Sequence, residues 1–193
     1  MAGVKQFDEE LALRKALALF WQQGYGATSM PDLAETMGVL RGSLYNAYGG
    51  KEGIFLRAFE RYSTQMLRDI EAALAHKDVR KALKRFFEFT INSMTTGTPT
   101  RGCLTTKTAF DEGRDSDVVR RELQGLLNTM EAMLAQRLDL PDAQEVLALD
   151  SREAARLIVT FTRGVVVIER VYGDKARLRR TAANLVALLL AES

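Results

Sequence analysis

The stretch GVLRGSLYNAYGGKEGIF, residues 38–55, decides how the N-terminal part of the chain folds. Between Gly38 and the pair Gly49–Gly50 there is room for one short helix, about Leu40 to Tyr48. Val39 and Leu44 have the spacing to anchor it on its neighbours, with Tyr48 one turn further on, so that Arg41, Gly42, Ser43, Tyr45 and Asn46 face away. The two glycines permit a sharp reversal, and Lys51 opens the next helix.

Working upstream, TSMPDLAETMG, residues 28–38, carries a helix start: Ser29 caps, Asp32 answers three residues later, and Pro31 sits in the first turn, where a missing N–H does no harm. Leu33, Ala34 and Met37 face inward, and Gly38 ends the helix. Before it, a helix from about Asp8 to Gly24 has Asp8 as cap and Glu9 and Glu10 at the positive end of its dipole. Its buried stripe is Leu13, Ala16, Leu17 and Phe20, and Gly24 is its stop. Three short helices joined by turns of a few residues with a glycine at the corner form the helix-turn-helix pattern.

Downstream, apolar residues recur at three and four, alternating runs are almost absent and there are only three prolines, so the whole chain reads as all-α. Helices are expected over about 51–75, 78–95, 103–112, 116–138, 151–172 and 174–191. TTGTPTRG (95–102) and DLPDAQE (139–145) read as loops. The seam between a small helix-turn-helix domain, 1–53, and a larger helical domain, 54–193, is expected in the helix after Lys51.

With 193 residues, 47% apolar and 27% charged, the chain has the composition of an ordinary globular protein. No apolar run approaches the ~18 residues of a membrane span, and MAGVKQFDEE lacks the apolar core of a secretory signal. With Cys103 as the single cysteine, a cytoplasmic protein is expected. The net charge is only +2, and the first 53 residues hold five cations against six anions. Gross charge therefore does not argue for a nucleic-acid partner; the placement of a few side chains must.

That placement points to double-stranded DNA. Arginine grips guanine O6 and N7 with two hydrogen bonds, asparagine does the same for adenine, and serine or tyrosine hydroxyls suit phosphates or base edges. Gly42 would let the backbone come close, Lys51 stands where free helix N–H groups already favour a phosphate, and Thr28 and Ser29 offer further hydroxyls. Tyr48 is counted with this set, although its spacing also suits an anchor. A short polar helix is also what a solvated surface looks like; cap, spacing, turn and lysine falling in one register favour DNA.

Residues 16–55, ALALFWQQGYGATSMPDLAETMGVLRGSLYNAYGGKEGIF, closely resemble the DNA-binding domain of the TetR family of bacterial repressors. The shared features are an aromatic-Gly-aromatic element, the Thr-Ser pair, a small helix ending in Gly-Val, a Gly-x-Leu-Tyr recognition helix and the lysine. The rest of the chain resembles the family in its number and lengths of helices. The resemblance implies a homodimeric repressor on a palindromic operator, with an effector-binding C-terminal domain. Leu40 departs from the pattern: relatives often place Ser or Thr there, a cap of about 0.5–2 kcal/mol. Ala47 replaces a residue that is often polar, and the N-terminal arm holds only Lys5, so DNA affinity is expected to be modest and to fall steeply with salt.

EAARLIVTFTRGVVVIERVY, residues 153–172, carries two apolar stripes. Ala154, Ile158, Phe161, Val165, Ile168 and Tyr172 form one; Leu157, Thr160, Gly164, Val167 and Val171 form the other. A helix apolar on two sides needs two partners, and Gly164, which costs roughly 1 kcal/mol in a helix, suits the close approach of a second backbone. The last helix, with Leu185, Val186, Leu188, Leu189 and Leu190, is similarly wide. A core helix in a monomer would look alike; the resemblance implies a four-helix dimer interface including Leu157, Gly164, Val167, Val171, Leu185 and Leu189.

For the effector, RGCLTTKTAF (101–110) places Arg101 and Lys107 around Cys103, a setting that favours a thiolate; Gly-Cys-Leu is similar to the same stretch of some relatives that respond to oxidants or electrophiles, and this resemblance implies a reactive-cysteine sensor. The cysteine equally suits a small buried hydrophobe. Phe86, Phe87, Phe89, Met94, Phe110, Met130, Met133 and Phe161 could line an apolar pocket for a small molecule, or simply be core. One His, one Cys, no Glu-x-x-His and no Gly-x-Ser-x-Gly argue against an enzyme, and no cofactor or metal is expected. The competing reading is a helical protein-binding adaptor that does not bind DNA.

Overall fold

The computed structural model describes residues 7–97, 100–111 and 116–191. It is all-α, with ten helices among the described residues: α1 (Glu9–Gln23), α2 (Met30–Met37), α3 (Arg41–Tyr48), α4 (Lys51–Leu74), α5 (Val79–Met94), α6 (Leu104–Phe110), α7 (Asp117–Leu138), α8 (Pro141–Gln144), α9 (Ser151–Tyr172) and α10 (Lys175–Leu189). The expected long helices are all present, displaced by a residue or two at their ends. DLPDAQE is not all loop: Pro141 at the first helical position, with its φ already set, starts the single turn α8. Lys5 in the N-terminal arm, Thr98 and Pro99 of the expected 95–102 loop, and the expected helix end at 112 lie outside the described residues. No described helix is long and apolar enough to cross a membrane.

Contacts divide the chain into two units, Met1–Thr64 with Leu104–Leu123, and Gln65–Cys103 with Gln124–Ser193. In the first, Asp8 caps α1 by accepting from the Leu11 N–H, and Ser29 and Asp32 form a complete capping box on α2. Leu13, Phe20, Leu33, Leu44, Ile54 and Phe55 are fully buried. The Phe55 ring stands edge-on to Phe20 at 5.2 Å and to Tyr25 at 5.1 Å, the offset geometry that aromatic quadrupoles prefer. The short α3 is anchored from behind by Leu44, which is fully buried in this unit.

In the second unit, Asp78, Asp150 and Asp174 cap α5, α9 and α10. Arg137, almost fully buried, donates to both Asp142 oxygens at 3.0 and 2.7 Å and twice to the His76 carbonyl. His76 is half-buried in the link between α4 and α5: its carbonyl accepts from Arg137, and its ring Nδ1 accepts from the Asp78 N–H at 3.0 Å. The end of α10 is tied by Ala148 N–H to Leu189 O (2.9 Å) and Ala191 N–H to Val146 O (2.7 Å).

Candidate nucleic-acid interface

On α3, Leu44 is fully buried while Arg41, Gly42, Ser43, Tyr45 and Asn46 are all exposed. The Arg41 guanidinium stands 6.0 Å from the Tyr45 ring centroid, and among the described residues no hydrogen bond or ion pair ties it down. These five residues are brought together on one open helical face. Leu40 makes no side-chain cap and is 81% exposed. Gly49 and Gly50, with φ of 76° and 147°, make the reversal into α4. Gly53, which the sequence does not single out, is equally required: a Cβ there would collide with the Tyr48 carbonyl oxygen.

Four expected contacts are placed differently. The Lys51 ammonium does not point outward to a phosphate; it donates to the carbonyls of Tyr25 and Gly26 at 3.0 and 3.3 Å and lies 4.5 Å from the Tyr25 ring centroid. A lysine at a helix start has a long stem, and the α1–α2 turn offers two bare carbonyls within its reach. The Thr28 hydroxyl is buried and donates to the Gly24 carbonyl. The half-buried Tyr48 donates its hydroxyl proton to Glu9 at 3.2 Å. Burial, with the Glu9 charge beside it, pushes the Tyr48 pKa up to about 12, so the phenol stays protonated. Ser29 is exposed, but its hydroxyl donates to Asp32 at 2.6 Å and serves the cap, which holds the Asp32 carboxyl below its ordinary range.

The residues expected to sense an effector are also redistributed. Cys103 is buried, and its cationic partner is Arg163, whose Nη1 donates to Sγ at 3.2 Å. Lys107 is committed instead to the carbonyls of Trp21 and Gln22 at 2.9 and 2.7 Å. Arg101 turns to the Ser93 carbonyl at 2.8 Å. Phe110 is 78% exposed. Phe86 is fully buried, Phe89, Met133 and Phe161 are half-buried, and Phe161 stands edge-on to Phe87 at 5.7 Å. Phe87, rather than Phe86 or Phe89, reaches the 420 Å³ groove between α5 and α10. No cluster of three or more metal-ligating side chains occurs among the described residues.

On α9, Leu157, Gly164, Val167 and Val171 are exposed along one face. Of the other stripe, Ala154, Ile158 and Val165 are buried while Ile168 and Tyr172 are exposed, and Thr162 and Glu169 are buried beside them. Leu185 is half-buried. Leu189 is only 2% exposed and belongs to the core of its own protomer, whereas its neighbour Leu188 is 78% exposed and takes the outward place.

Residues 12–58 match the family model of bacterial regulatory proteins of the tetR family, and residues 79–185 match the tetracyclin repressor-like C-terminal domain. The chain belongs to the TetR family. Among relatives of this TetR-family chain, the HTH-type transcriptional repressor ComR of Escherichia coli is 35% identical over 188 residues, covering 95% of this chain and 90% of ComR. The regulator CifR, solved as a cysteine mutant with a 26-bp double-stranded operator, is 26% identical with a TM-score of 0.84, covering 95% of this chain and 98% of that one. Reduced NemR of Escherichia coli shares the fold at 20% identity and a TM-score of 0.84, covering 96% and 97%.

Proposed function

We propose that this TetR-family chain is a repressor that binds a palindromic DNA operator as a homodimer through the open face of α3, and that an effector acting on the C-terminal unit releases it. The observation that carries this reading is the α3 face itself, where Arg41, Ser43, Tyr45 and Asn46 stand exposed on a helix fixed from behind by Leu44. The operator complex of CifR, with the same fold, supports it. The exposed strip of Leu157, Gly164, Val167 and Val171 supports a symmetric dimer, which would offer two recognition helices to two half-sites.

The test is selection of bound duplexes from a random pool with the purified protein. A recovered inverted repeat whose half-sites lie about one helical turn apart supports the reading; recovery of no common sequence at low salt ends it and favours the adaptor. For the effector, the contact between Arg163 and Cys103 favours thiol chemistry, since a thiolate formed there would find a cation 3.2 Å away. Cys103→Ser protein should then bind the recovered operator normally and ignore oxidants. Oxidant release that persists unchanged in that variant would remove Cys103 as the sensor.

A further inference from the structure

The groove between α5 and α10 has an apolar floor and a cationic rim. It encloses about 420 Å³, within the range of small-molecule sites. Its floor is built from Phe87, Ile91, Ala182 and Val186, and its rim from Arg80, Lys84, Arg179 and Arg180, against the single carboxylate of Glu88. Two of the four cations are already used. Arg80 donates to the carbonyls of Leu190 and Ala191 at 3.3 and 3.1 Å, and Arg179 pairs with Glu88 at 3.1 Å. Lys84 and Arg180 are exposed and have no ion pair among the described residues.

The groove is distinct from the strip assigned to the dimer. On α10, Arg179, Ala183 and Val186 lie on one flank and the exposed Leu188 on the other, as the helical repeat requires. An apolar floor is a poor match for a polyanion such as nucleic acid, which offers phosphates and no aliphatic surface on the same side. Rim cations that no carboxylate neutralises, Lys84 and Arg180 with Arg80, whose partners are neutral carbonyls, are an equally poor match for a neutral hydrophobe.

The geometry points to a binding site for a single-chain anionic amphiphile, whose hydrocarbon body lies along Phe87, Ile91 and Val186 while its head pairs with Lys84 and Arg180. The site belongs to one protomer and needs neither DNA nor the proposed thiol chemistry. Its head could be a carboxylate or a phosphate; both present oxygens to the same two cations.

The experiment is calorimetric titration of the full chain, free of DNA, with decanoate, decyl phosphate, decanol and decyltrimethylammonium below their micellar concentrations. One decanoate or decyl phosphate is expected per protomer, about tenfold tighter than decanol, with the cationic amphiphile weakest; the tighter anion names the head group. Lys84→Gln with Arg180→Gln should erase the preference for the anion over decanol. Ala183→Phe, at an exposed position on the groove wall, should block both ligands while leaving the helical circular-dichroism signal and the melting transition unchanged. Equal affinity for all four amphiphiles, or anion binding that survives both variants, overturns the proposal.

Discussion

The ammonium of Lys107 lies 2.9 Å from the carbonyl oxygen of Trp21 and closes the C-terminal end of α1 from a helix far along the chain. The last turn of α1 contains no basic residue of its own, so the negative end of its dipole would otherwise face solvent. Just past the end of α6, Asp111 accepts from the Gly26 N–H at 3.2 and 3.1 Å with its two oxygens. Cation meets carbonyls and anion meets amide. Lys107→Met should therefore lower stability by about 1.5–3 kcal/mol, the range for hydrogen bonds to a charged group. Urea unfolding checks it: an unchanged midpoint would mean that water replaces the ammonium at no cost.

Arg41 and Lys51 should separate binding from folding. Arg41 is exposed and held by nothing but its distant approach to Tyr45, so Arg41→Ala should leave stability within ~0.5 kcal/mol while weakening specific duplex binding by about 1–3 kcal/mol. Lys51 bonds two carbonyls of the α1–α2 turn, so Lys51→Ala should lower stability and DNA affinity together. Fluorescence anisotropy on the selected duplex, paired with thermal melts, reads both. Equal loss of specific and random duplex binding in Arg41→Ala would remove base reading from that residue.

Asp142 gives the second unit an acid-sensitive latch. Its hydrogen bonds from Arg137 hold the carboxyl below the ordinary carboxylate range, against the opposing effect of burial. Because the folded value is the lower one, the unfolded chain binds the proton first. The contribution is thus present above about pH 4 and lost as pH falls through the folded value. The wild-type urea midpoint should fall between pH 5 and 3 with a component that Asp142→Asn lacks. That variant should be the less stable of the two at pH 7, since Arg137 stays buried without its counter-charge. Parallel pH profiles for the two proteins would show that Asp142 is not the group responsible.

Gly164 offers a sharp test of the dimer. A Cβ there meets nothing within 4 Å in the protomer, and alanine is the better helix former by about 1 kcal/mol. Gly164→Ala should therefore stabilise an isolated protomer. If a partner backbone packs against the bare Cα, the same methyl weakens association, and sedimentation should show dimer dissociation at higher protein concentration. Stabilisation with unchanged association would place the dimer contact elsewhere on α9.

What was legible in the sequence was local. Asp8, Ser29 and Asp32 mark helix starts through bonds that span three residues, and the α3 face follows from the spacing of Val39 and Leu44 alone. What was not legible depends on partners that no pattern encodes. Lys107 finds Trp21 and Gln22, Lys51 finds Tyr25 and Gly26, Tyr48 finds Glu9, and Cys103 finds Arg163, each across at least 25 residues. Several of those acceptors are backbone carbonyls, chemically identical at every position, so only the fold says which one a lysine meets. Leu188 and Leu189 illustrate the same limit. Apolar periodicity marks α10 as wide, but which leucine faces outward depends on how α10 rolls against α5.

Leu40 is where a local rule is broken at a place that counts for function. It occupies the N-cap of α3 with φ −57° and ψ 135° and no side-chain hydrogen bond, so the first N–H groups of the recognition helix go uncapped by the chain. It is also 81% exposed, so burial does not explain an apolar residue there. Leu40→Ser should supply the missing acceptor and raise stability by about 0.5–2 kcal/mol, with little lost from removing a side chain that touches so little. If α3 faces DNA as proposed, a phosphate would take the place of the missing cap in the complex. The serine variant should then melt higher alone, yet gain less stability from the operator than the wild type does. Thermal melts with and without duplex measure both, and an equal operator-induced shift in the two proteins would show that no phosphate fills that position.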